Sequence, residues 1–142
     1  MMSEVGMKPL NWKPAPGIGY RVERREDGGM NYTFTELSHE TLLHWRDFSL
    51  EHLYDSDRLT RNRYDLRQVL AIPQEAIEYA IELNSDPSAR NIRLAVIVAS
   101  GAVREAIEKI QSLTIPGGVE IGIFEDTASA EEWLSRPISL MA

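Results

Sequence analysis

The sequence predicts a single α/β layered domain. Its sheet is mixed and mostly parallel, with an N-terminal β-hairpin and about four flanking helices in the order β-β-α-β-α-β-α-β-α. Three observations predict it. Leu94-Ala95-Val96-Ile97-Val98-Ala99 is an unbroken apolar run. It is too short to span a membrane and too β-branched for a comfortable helix, so it reads as a strand covered on both faces. Helical stripes and strand-like runs then alternate along the chain, and right-handed crossovers between them build a parallel sheet. Finally, two alternating runs flank Glu26-Asp27-Gly28-Gly29, where glycines supply the positive φ of a tight turn, so a hairpin adds an antiparallel edge.

Residues 1–19 contain Pro9, Pro14, Pro16, Gly17 and Gly19, which sustain neither a helix nor an interior strand. We read them as a flexible arm with Trp12 as its anchor, and residues 20–142 as the domain. The hairpin strands are Tyr20–Arg25 and Met30–Thr35. Ser38 is placed to cap a helix from His39 to about Leu53, whose apolar face is broad and imperfect. Tyr54–Asn62 is strongly polar and reads as a loop, and Arg63–Arg67 resumes a strand. Pro73 suits the first position of a helix, where a missing N–H costs nothing, and Ala76, Ile77, Ala80 and Ile81 carry that helix to Leu83. Asn84–Asn91 is its polar exit.

After the apolar strand, Val103, Ala106, Ile107, Ile110 and Leu113 form a cleaner helical stripe. Ile115-Pro116-Gly117-Gly118 breaks it. Val119, Ile121 and Ile123 alternate in a last strand closed by Phe124. Asp126 or Thr127 then caps a short helix in which Ala130, Trp133 and Leu134 share a face, and Pro137 ends it.

Composition excludes several functions. The net charge of −7 argues against holding nucleic acid by phosphate neutralisation. The excess acid lies mostly beyond residue 67, where 5 basic side chains face 11 acidic ones. The local basic excess of Arg58, Arg61, Arg63 and Arg67 reads as a solvated face. With no cysteine there are no disulfides, thiol nucleophiles or thiolate metal sites, which suits a reducing cytoplasm. The first residues lack the apolar core and cleavage site of a signal peptide, and no run approaches a membrane span. A cytoplasmic protein is the expectation.

Candidate chemistry is sparse. His39-Glu40-Thr41-Leu42-Leu43-His44 misses a zinc-protease motif by one residue, because histidines at i,i+5 stand about 140° apart on a helix. Gly17-Ile18-Gly19 and Gly117-Gly118 read as turns, since neither joins a strand to a helix as a phosphate loop does. Ser100 and Gly101 do join the central strand to a helix, whose free N–H groups suit an anion, with Arg104 near in sequence. Arg67 and Gln68 belong at the same C-terminal end of the strands, where open α/β sheets bind ligands. The plainer reading is that Ser100 caps the helix and Gly101 permits close packing. As a nucleophile Ser100 lacks a histidine, none following His52. Asp65, if it faces inward, calls for a partner, a nearby arginine or a helix N-terminus, and Trp133 reads as core rather than as a cavity border.

Taken together, Tyr64-Asp65-Leu66-Arg67, the buried strand Leu94–Ser100, and Gly122-Ile123-Phe124-Glu125-Asp126 followed by Ala130-x-x-Trp133-Leu134 resemble the SpoIIAA-like group over residues 20–135. These small bacterial proteins are related in fold to STAS domains, the anti-sigma-factor antagonists, and to CRAL-TRIO lipid-binding domains. The resemblance implies a mixed sheet flanked by helices. It does not carry the STAS phosphoswitch, because the corresponding loop Gln68-Val69-Leu70-Ala71-Ile72 has no hydroxyl to accept a phosphate.

Two functions stay open. One is a non-enzymatic regulatory domain that binds an unidentified protein partner or itself. The other is a small carrier or sensor for an apolar or anionic ligand at the strand C-termini, as the CRAL-TRIO relationship implies. The resemblance and the absence of a credible catalytic set make partner binding or self-association the expectation; carriers need a cavity, and about four helices covering the sheet leave little core to spare. No catalytic residue, metal or cofactor is assigned.

Overall fold

The computed structural model describes residues 12–13, 15–55, 60–87, 89, 92–114 and 119–137. Most of the arm 1–19, and the breaker 115–118, lie outside them. Five strands form one sheet in the order β1-β2-β3-β4-β5: β1 Tyr20–Arg24, β2 Met30–Phe34, β3 Thr60–Asp65, β4 Ile92–Ile97 and β5 Val119–Phe124. Strands β1 and β2 are antiparallel and all the other pairs are parallel. The helices are α1 His39–Asp55, α2 Gln74–Asn84, α3 Gly101–Leu113 and α4 Thr127–Leu134.

The strand order equals the chain order, so each right-handed crossover advances the sheet in the same direction. Such crossovers put α1, α2 and α3 on one face, where α1 packs on α2 and α2 on α3. Helix α4 follows the last strand and folds back over β4 and β5. Side chains therefore segregate by strand parity. Val96 and Val98 join the larger core under α1–α3, while Ala95 and Ile97 meet Ala130 and Leu134 of α4 in a smaller one. The strand Ile92–Ile97 is thus covered on both sides, as its composition requires.

Several boundaries differ from the sequence reading. Strand β3 begins at Thr60 rather than Arg63. Its first residues look like loop because they are polar, yet each has a partner: the Met30 N–H donates to Asn62 Oδ1 at 3.0 Å, and Arg61 Nε donates to the Leu134 carbonyl at 2.6 Å. The strand ends at Asp65, whose carboxylate accepts the Arg67 N–H in a tight turn. Pro73 sits one residue outside α2, in extended conformation, rather than inside its first turn. Ser100 and Asp126 cap α3 and α4 by accepting from Val103 N at 3.2 Å and Ser129 N at 2.7 Å.

Candidate functional site

Between the sheet and the α1–α3 layer the protein keeps a cavity of about 130 Å3. Its origin is visible in the side chains that meet there. The face that α1 turns inward runs Leu42, Trp45, Ser49, His52, so it changes from large and apolar to small and polar along its length. Opposite, α2 presents the small Ala76 and Ala80. Beneath them β3 contributes Thr60, Asn62 and Tyr64, all only partly buried. Small or polar residues from three elements coincide, and close packing fails locally. Apart from Asn84 at the end of α2, the rest of the wall is apolar or aromatic, from Met30 and Phe34 on β2 to Ile107 and Ile110 on α3.

Some of the polar groups in the wall form a cluster around Tyr64. Trp45 Nε1 donates to the Tyr64 hydroxyl at 3.0 Å, and the Tyr32 hydroxyl contacts Met30 Sδ at 3.9 Å, a weak acceptor. Ser49 Oγ is shielded from solvent and lies beside both tyrosine hydroxyls, each of which it helps to hydrogen-bond. Burial pushes the Tyr64 hydroxyl up to about 12 and Tyr32 well above the ordinary phenol value, so both stay neutral. His52 Nδ1 lies 2.9 Å from the Phe48 carbonyl. A carbonyl only accepts, so that nitrogen carries a proton and, in the neutral ring, Nε2 keeps its lone pair. Among the described residues, no arginine, lysine, aspartate or glutamate lines the cavity.

The residues singled out at the strand C-termini lie elsewhere. Ser100 spends its side chain on the Val103 N–H. Arg104 reaches Glu125 at 3.2 Å, and Arg67 forks onto Asp65 at 3.0 and 2.7 Å while touching Thr127 Oγ1. Asp65 thereby has its arginine, which holds its carboxyl below the usual aspartate value. Gln68 and Gly101 are exposed. Arg67 and Arg104 thus border the β5–α4 turn from two sides, each engaged with a carboxylate, and none of the five residues lines the cavity. His39 and His44 part ways, the first to Glu75 and the second to the Tyr20 hydroxyl. Trp133 packs on Phe124 on the α4 side. The cavity residues themselves escape a reading by motif. Their one linear trace is the helical spacing of Leu42, Trp45, Ser49 and His52, together with the i,i+4 pair Ala76 and Ala80.

A five-stranded mixed sheet with three helices on one face and one on the other is a SpoIIAA-like fold. In structure the chain is similar to an uncharacterized protein from the DUF3478 family with a SpoIIAA-like fold from Shewanella loihica PV-4. The TM-score is 0.61 at 19% identity, over 87% of this chain and 99% of that one. No protein-family model matches the chain, and no curated protein matches it in sequence. The likeness carries the fold and no activity.

Proposed function

We propose that the protein is a small non-enzymatic carrier or sensor that holds a neutral, mostly apolar molecule between its sheet and α1–α3. The observation behind this reading is the cavity, walled mostly by aliphatic and aromatic side chains, with a cluster of hydroxyls and, among the described residues, no arginine, lysine, aspartate or glutamate. The sequence ranks the carrier second because its helices promise a core with little room to spare, and this core keeps room. Size limits the occupant. An apolar cavity of about 150 Å3 takes up benzene, so the 130 Å3 here has room for one six-membered ring. Charge limits it further, because an ion buried without a partner loses its hydration uncompensated.

Native mass spectrometry of freshly purified protein and a benzene titration followed by NMR test the reading together. Benzene at ten times its dissociation constant is expected to raise Tm by about 3 °C. It should move the Trp45 and Tyr64 signals, and Ala80→Leu, which fills the space, should abolish both effects. A bare mass with no response to benzene refutes the reading.

A further inference from the structure

Tyr64 stands on β3, the middle strand of the sheet, with β2 and β4 on either side and the α1–α3 layer above. In that position its ring would ordinarily be sealed. Its aromatic neighbours Tyr32, Phe34 and Trp45 are sealed, at no more than 6% exposure, yet Tyr64 keeps accessible surface. That surface belongs to the cavity wall. The three neighbours pack on the Tyr64 ring with centroids at 4.5, 5.7 and 6.2 Å. Its hydroxyl is engaged too, accepting from Trp45 Nε1. What Tyr64 leaves open is ring surface rather than a polar group.

Across the space, Ala76 and Ala80 lie one turn apart on α2, so they stand on one face of the helix. Two methyl groups in succession leave room against the tyrosine that longer side chains would fill. We infer that the molecule held in the cavity carries an aromatic ring, which lies between Tyr64 and the Ala76–Ala80 face as a fourth ring about that tyrosine. This inference rests on the carrier reading and names the chemical class of its ligand. Aromatic rings attract one another in offset and edge-to-face arrangements beyond the area they bury, through the quadrupole of their π-systems. A saturated six-carbon ring has no such quadrupole and is thicker, although it buries more apolar surface.

Benzene and cyclohexane, titrated separately into the full chain and followed by NMR, test the inference. Burial of area alone favours cyclohexane. An aromatic partner at Tyr64 reverses that order, and benzene is expected to bind about threefold to tenfold more tightly. Bound benzene should show nuclear Overhauser contacts to the Tyr64 ring and to the Ala76 and Ala80 methyl groups. Tyr64→Phe keeps the ring and should keep the preference, whereas Tyr64→Leu should lose it; the wild-type comparison decides even if the leucine variant does not fold. Cyclohexane binding as tightly as benzene, or more so, overturns the aromatic inference and leaves the carrier reading standing. Benzene contacts confined to Ile107, Ile110 and Ile121 overturn it as well. If neither ring binds, the carrier reading itself fails.

Discussion

The guanidinium of Arg93 lies 4.9 Å over the ring of Trp133 and donates to the carbonyl of the same tryptophan at 3.2 Å. It also donates to the Arg136 carbonyl at 3.0 Å and to Glu120 at 3.0 Å. A strand residue thus caps the C-terminal end of α4, where the carbonyls have no helical partner. Arg61 does the same from β3, through Leu134 O and Arg136 O. The short last helix is fastened to the sheet by arginines at its end as well as by Ala130 and Leu134 along its face.

Arg93→Lys is therefore expected to cost about 2 kcal/mol, since lysine lacks the fork that serves several acceptors at once. Glu120 is more than half exposed, so Glu120→Gln should cost under about 0.5 kcal/mol. Urea unfolding monitored by circular dichroism separates the two. Equal losses would mean that the ion pair, and not the carbonyl capping, is what matters.

Gly29 stands where β2 begins its pairing with β3, and a Cβ there would overlap the Arg61 carbonyl oxygen. Backbone cannot step aside as a side-chain tip does. Gly29→Ala should cost more than about 3 kcal/mol. Its neighbour Gly28 has φ of 92°, so Gly28→Ala should cost only about 1–2 kcal/mol of left-handed strain. Melting temperatures of the two variants, compared side by side, check that order.

Ser100→Ala removes the side-chain acceptor for Val103 N at the start of α3, and about 1 kcal/mol of stability should go with it. Ser100→Asp, which keeps an acceptor at the helix N-terminus, should restore most of the loss. The urea midpoint decides. A Ser100→Ala protein as stable as the wild type would mean that the cap is idle and would reopen another role for that serine.

Glu131 of α4 bridges Arg25 at 2.8 and 3.0 Å and Arg63 at 2.6 Å. These partners, Arg25 first, hold its carboxyl below the usual glutamate value of 4.5. Its folded-state pKa is depressed, so its contribution is present at neutral pH and is lost as pH falls below about 4.5 through the folded value. Glu131→Gln should lower stability by about 1 kcal/mol at pH 7, less in high salt because the carboxylate is partly exposed. Wild type and variant should converge in acid. A gap that persists at pH 3 would point to packing instead.

The parts of the fold legible in the sequence are those where one residue type has one physical use. Unbroken Leu94–Ala99 can only be a strand with two covers, and Ser100 and Asp126 precede helical stripes as caps do. Strand β3 was less legible because its partners come from distant segments: Asn62 answers a backbone N–H of β2, and Arg61 answers carbonyls beyond α4. A window of neighbouring residues sees only polarity there. The cavity is harder still. It exists because Ser49, Ala76 and Ala80 come together from two helices above Tyr64, and absent volume leaves no motif in a linear chain.

Empty volume also governs mechanical response. Voids disappear when a protein unfolds, so hydrostatic pressure favours the unfolded chain in rough proportion to them. The space between the sheet and α1–α3 makes this layer compressible, while beneath α4 the side chains of Ala95, Ile97, Ala130 and Leu134 are fully buried. An occupant would stiffen that layer.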